Sequence, residues 1–315
     1  MNDSPQAIQA EVLTKRFAGI TAVDRLSFTV AAGEIFGLVG SDGAGKTTVL
    51  RILAGVLPAD EGTAIVEGFD VIRDPESVKR HISYMPQRFG LYEDLTVDEN
   101  IRFYADLFGI PRRQREERAA RLLTACGMLE FRGRLAGHLS GGMKQKLGLT
   151  CALIHTPRLL LLDEPTTGVD PVSRRDFWRL LYLLHAEGVT VVIATAYLDE
   201  AERCHRLALL DQGRVLFCDT PNRLKSELSG AVIAVISPRP REVRDELVHA
   251  TGVSSLVLVG DGVHLVVDDA ERRLPELRQR LTAAGSPFEQ ITRVTPTIED
   301  VFAASVKQRE SGHER

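Results

Sequence analysis

Three short stretches of this chain carry the residue types that handle polyphosphates. The first is Gly40-Ser41-Asp42-Gly43-Ala44-Gly45-Lys46-Thr47-Thr48, set between an apolar run over 34–40 and an amphipathic run over 49–55. A glycine, four residues, then Gly45-Lys46-Thr47 is the P-loop spacing. Its glycines let successive backbone N–H groups turn inward at a helix N-terminus, where the dipole also favours an anion. Lys46 would reach the β- and γ-phosphates as a point charge, and the Thr47 hydroxyl would ligate Mg²⁺. Ser41 and Asp42 are uncommon choices here, but neither occupies a required position.

The second stretch, Arg158-Leu-Leu-Leu-Leu162-Asp163-Glu164-Pro165, reads as a buried parallel strand ending in two acids. At the carboxyl edge of an α/β sheet those acids stand where ligands bind. Adjacent strand residues point to opposite sides, so Asp163 is assigned to the Mg²⁺ shell and Glu164 to a nucleophilic water. The third stretch is Leu139-Ser140-Gly141-Gly142-Met143, with Ser140 as a natural N-cap of the helix that follows. It makes a second anion site of the same physical type. One triphosphate cannot use both unless something brings them together.

Two further residues stay open on their own chemistry. Phe17, ahead of the P-loop, is either a stacking platform for an adenine ring or an ordinary core aromatic. Gln87, after Ile82-Ser-Tyr-Met-Pro86, either presents its amide to a metal or water or is simply solvated.

The elements that must place these residues follow from periodicity. Residues 8–30 alternate as strands with Val12, Phe17, Val23, Leu26, Phe28 and Val30 in the apolar set, and residues 96–137 are helical in pattern with a break near Gly109-Ile-Pro111. The arginine-rich face from Arg112 to Arg121 reads as a solvated helix face. Gly188 to Ala194 is another buried strand, and Leu207 to Phe217 a hairpin. From about Gly230 the pattern becomes β-α-β-β-α-β, the split order of ferredoxin-like domains, with no catalytic pattern. The expected organisation is a cassette over 1–225 with a helical subdomain at about 90–150, an appended α+β domain over 230–306, and a loose tail over 307–315.

Composition bounds the function. The 315 residues are 44% hydrophobic with a net charge of −4, which offers no basic field for nucleic acid. The four cysteines show no metal-type spacing and read as reduced thiols. No apolar run approaches the ~20 residues that span a bilayer, so any spanning at a membrane is expected of another chain.

Taken together, the P-loop, Gln87, Leu139 to Met143, and Leu159 to Pro165 with Asp170 after it resemble the ATP-binding cassette proteins over roughly residues 8–220. The fold so implied is an α/β P-loop NTPase cassette with a mixed sheet core. The resemblance implies ATP and Mg²⁺ as cofactors. It implies a head-to-tail dimer in which Ser140, Gly141 and Gly142 of one cassette close over the nucleotide held by Gly40 to Thr48 of the other. It lifts Phe17 to the adenine position and Gln87 to a loop sensing Mg²⁺ and the membrane subunit. Glu164 becomes the base for the attacking water, with Lys46 and Gln87 beside it, and Asp170 a dimer-contact residue. Thr295-Pro-Thr-Ile-Glu-Asp-Val-Phe302 is similar to the terminal motif of the exporter branch for drugs, antibiotics and polysaccharides, and the likeness is nearest to the first half of two-cassette exporter subunits. The expectation is an ATPase at the cytoplasmic face of the cell membrane, working with a polytopic permease and a second cassette, identical or not.

One position departs from that family's pattern. Its switch histidine would stand where this chain has Ala196, in Thr195-Ala196-Tyr197. Losing one preorganised donor to a transferring phosphoryl group costs ~10²–10³ in rate. The alternatives are a heterodimer whose other cassette carries the histidine, a substitute donor from Tyr197 or water, or a slow ATP-operated switch. A cassette ATPase without a membrane partner is the competing class.

Overall fold

The computed structural model describes residues 5–313, which form two compact units, 5–196 with 210–215 and 197–209 with 216–313. Residues 1–4 and 314–315, the last two of the expected tail, lie outside the described residues.

In the first unit the strands Ile35–Gly40, Thr190–Thr195, Leu159–Asp163 and Ile82–Met85 lie side by side in that order, all parallel. The first three are buried at every position. Burial on both faces is why they read as continuous apolar runs without alternation. The helix Lys46–Leu53 follows the first of them and buries Val49, Leu50, Ile52 and Leu53. An antiparallel sheet, in the order Ile20–Ala31, Gln6–Phe17, Glu61–Val66 and Phe69–Asp70, completes the mixed architecture.

Within that sheet Val12 does not join the apolar set. It is 44% exposed at φ 51, in a bulge where its N–H donates to Ser27 Oγ at 2.8 Å. The bulge interrupts the period-2 alternation that assigned it inward. The helical part of the unit comprises Val97–Leu107, Arg112–Ala125 and Gly141–Leu153. The first is closed by a reciprocal capping box between Thr96 and Glu99.

The second unit carries a four-stranded antiparallel sheet in the order Val253–Val259, Gly262–Val267, Ala231–Ile236, Gln290–Val294. Numbered along the chain that is 2-3-1-4, the split βαβ order. Ile233, Val235, Val263, Leu265 and Ile291 pack against Val243 and Leu247 of Pro240–Leu247 and Leu277 and Leu281 of Ala270–Ala283.

A helix absent from the expected order, Ile298–His313, contacts strands Val253–Val259 and Gly262–Val267. It runs through the residues expected to be a loose tail. Its start is a reciprocal pair: Thr297 N–H and hydroxyl donate to Asp300 Oδ2 at 2.8 and 2.9 Å, and Asp300 N–H donates to Thr297 Oγ1 at 3.3 Å. Asp300 is fully buried and His264 Nδ1 stands 3.1 Å from its Oδ1.

The unit boundary also differs from the expected break near 225–230. Glu202 accepts from Ile298 N–H at 3.1 Å and from Lys225 Nζ at 2.6 Å. These bonds tie the segment after Thr195-Ala196 to the terminal helix, so it groups with the appended residues.

Candidate functional site

Gly45 is the N-cap of the helix Lys46–Leu53 and holds φ +100, where an added Cβ would also run into the Ala22 carbonyl oxygen. Only glycine takes that backbone at low cost. The first-turn amides of the helix have no intrahelical acceptor and face an anion by default. Gly45→Ala is therefore expected to destabilise the protein by about 1–3 kcal/mol and to weaken nucleotide binding, read by thermal unfolding and by a fluorescent ATP analogue. An unchanged melting temperature and affinity would contradict it.

Phe17, Ala22, Asp42, Gly43, Gly45, Lys46, Thr47, Thr48 and Glu164 line one cleft of about 270 Å³. Phe17 is not a core aromatic: it is 44% exposed at the end of its strand, with Lys15 Nζ 5.5 Å from the ring centre.

Lys46 is 4% exposed. Its Nζ donates to the carbonyls of Gly40 at 2.8 Å and Ser41 at 3.0 Å and lies 3.2 Å from Glu164 Oε1. Thr47 Oγ1 donates to Asp163 Oδ1 at 2.9 Å, and Tyr84 OH to Asp163 Oδ2 at 3.2 Å. Gln87 Nε2 and Thr167 Oγ1 donate to Glu164 Oε2 at 3.2 and 3.3 Å. Burial pushes the Asp163 carboxyl up, opposed by the bonds from Thr47 and Tyr84.

The two acids do not point to opposite sides as strand alternation implied. The strand ends at Asp163, and Glu164 stands beyond it in the left-handed region at φ 47, with its N–H donating to Ala194 O at 2.9 Å. That turn brings the Glu164 carboxylate to Lys46, next to the Thr47 that meets Asp163. A non-glycine residue held there stores of order 1–3 kcal/mol of strain, which the surrounding bonds must offset.

The donors fit a hard divalent cation. A hydroxyl, a buried carboxylate and a nearby amide are oxygen ligands of the kind Mg²⁺ takes together with substrate phosphates. Among the described residues there is no cluster of three or more His, Cys, Asp or Glu side chains that could hold a metal ion.

Ser140, Gly141 and Gly142 stand apart from the residues that line this cleft. Ser140 caps the helix Gly141–Leu153 by accepting from Met143 N–H at 3.3 Å. Gly142 lies against Ser173 and Asp170, where an added Cβ would stand 2.6 Å from Ser173 Oγ and 3.4 Å from Asp170 Oδ2. Asp170 itself caps the helix Pro171–Ala186, accepting from Val172 and Ser173 N–H at 3.1 and 2.9 Å. Those amide bonds, Ser173's first, hold its carboxyl below the usual range. Ala196 is exposed at the end of the strand Thr190–Thr195.

Tyr84 and Thr167 received no role from the sequence. A phenol next to Ser83, in a short strand that runs beside the Asp-Glu strand, was the available signal.

Residues 23–167 match the ABC transporter family. The chain is 44% identical over 306 residues to the probable multidrug ABC transporter ATP-binding protein YbhF of Escherichia coli, covering 96% of this chain and 52% of YbhF. It thus spans about half the length of that relative. It is 36% identical to the daunorubicin resistance ATP-binding protein DrrA2 of Streptomyces coeruleorubidus, over 94% of each. Among solved structures it is similar to the dimeric MJ0796, a bacterial ABC transporter cassette, with a TM-score of 0.63 and 25% identity over 68% of this chain and 98% of the other. The chain belongs to the ATP-binding proteins of ABC transporters. Its relatives include those named for multidrug transport and drug resistance.

Proposed function

We propose that this chain binds and hydrolyses ATP to energise a membrane exporter of drug-like compounds, as one of two cassettes that share their nucleotide sites. The observation that carries the reading is the convergence of Lys46, Thr47 and Glu164 in one cleft beside the exposed ring of Phe17, with the buried Asp163 bonded to Thr47.

Each residue has a task that its position supports. The loop amides and Lys46 hold the β- and γ-phosphates, with Lys46 exchanging its bonds to Gly40 and Ser41 for phosphate oxygens. Phe17 stacks the adenine. Asp163 and Thr47, with Gln87, hold Mg²⁺, which when bound neutralises charge on the phosphate oxygens. Glu164, steadied by Gln87 and Thr167, accepts a proton from the attacking water. Ser140, Gly141 and Gly142 do not line this cleft, and Gly142 lies against Asp170, which suits the three to a role over the nucleotide of a second cassette. The dimeric form of MJ0796 supports that pairing.

The membrane pathway falls to a polytopic permease, and the chain works at the cytoplasmic face of the membrane. No described helix is long and apolar enough to cross a membrane. Ala196 favours a second cassette that carries the missing histidine. A slow ATP switch is the second reading, favoured by the same alanine.

Lys46→Ala is expected to weaken ATP binding roughly 10- to 100-fold, the value of a lost charged hydrogen-bonding group. Titration with a fluorescent ATP analogue measures it. Undiminished affinity would remove the P-loop cleft as the nucleotide site.

A further inference from the structure

Tyr84 lies on the strand Ile82–Met85, paired in parallel with Leu161 of the strand that ends in Asp163. Its ring is half-buried in a groove with Ala54, Val56, Phe89 and Phe108. Its hydroxyl donates at 3.2 Å to Asp163 Oδ2, the oxygen that Thr47 does not use. Asp163 is 1% exposed. A buried carboxylate needs donors on both oxygens to keep its charge and one orientation.

We infer that Tyr84 is a positioning residue for the metal: its hydroxyl, together with Thr47, fixes the orientation in which the Asp163 carboxylate meets a nucleotide-bound divalent cation. The inference rests on the ATP and Mg²⁺ reading of the cleft and adds a residue to it. Phenylalanine would keep the ring in its groove and remove the donor to Asp163, together with the hydroxyl's contact with Arg51. Asp163 would then keep Thr47 alone and turn about that contact, which loosens the metal while leaving the loop amides and Lys46 on the phosphates. Removing a partner that orients a metal ligand costs about 10- to 100-fold in metal affinity.

The test is a titration of the full chain with Mn²⁺ in the presence of ADP, followed by electron paramagnetic resonance, so that no turnover enters. Tyr84→Phe is expected to weaken Mn²⁺ binding roughly 10-fold while leaving ADP affinity in EDTA unchanged. Tyr104→Phe removes another groove hydroxyl, which bonds Gly90 O at 2.6 Å, and is expected to bind Mn²⁺ as the wild type does. Wild-type Mn²⁺ affinity in Tyr84→Phe overturns the inference. So does an equal loss in EDTA or in Tyr104→Phe, because either makes the role one of general packing. If the wild type with ADP takes up no Mn²⁺, the metal-nucleotide reading of the cleft fails first and the inference with it.

Discussion

Replacing Glu164 by glutamine is expected to lower ATP turnover by about 10²–10⁴-fold, the range for a positioned general base, while ATP still binds. The substitution keeps the size of the side chain and an oxygen able to accept from Thr167 at the present 3.3 Å. It removes the basicity that a proton from water requires. It also removes the ion pair with Lys46 at 3.2 Å, which frees the ammonium for phosphate oxygens. Nucleotide affinity should therefore hold or rise, and a fall in affinity equal to the fall in turnover would show that Glu164 serves only to place Lys46. Phosphate release at saturating ATP, with affinity measured separately, separates the two. Turnover retained in Glu164→Gln would move the base elsewhere in the site.

The parts of this site written in local backbone geometry were legible in the sequence. Gly45 must be glycine because of its φ and the Ala22 carbonyl, and Ser140 caps its helix because a short hydroxyl before Gly141-Gly142 has few other uses. The continuous apolar runs before Asp163 and Thr195 marked buried strands, the first of them parallel, for the same reason.

What was not legible depends on the third dimension. Strand alternation sent Glu164 away from Asp163, because a positive φ at a glutamate leaves no mark in residue type. Tyr84 meets Asp163 across 79 positions of sequence, which no spacing rule spans. The terminal helix did carry a signal. Thr297 and Asp300 have the spacing of a capping box, although the same stretch also matches the family's terminal motif. The unit boundary turns on Glu202, whose bonds to Ile298 and Lys225 join segments remote in sequence.

The same three-dimensional register makes Ala196 the position from which the largest gain is expected. Thr195 pairs with Val39, the residue before Gly40, and Ala194 pairs with Asp163. Residue 196 therefore leaves its strand level with the start of the phosphate loop and one step beyond the acids. The alanine is exposed, so an imidazole can be added there without displacing core side chains. Ala196→His is expected to raise ATP turnover about 10²-fold, the low end of what one preorganised donor to a transferring phosphoryl group supplies. Combining it with Glu164→Gln should return turnover to the level of Glu164→Gln alone, since a donor to the phosphate cannot replace the base for water. A gain that survives in that double variant would place its origin outside this site. No gain at all, with wild-type turnover already near ~10 s⁻¹, would mean that another group of this chain fills the role that Ala196 leaves open.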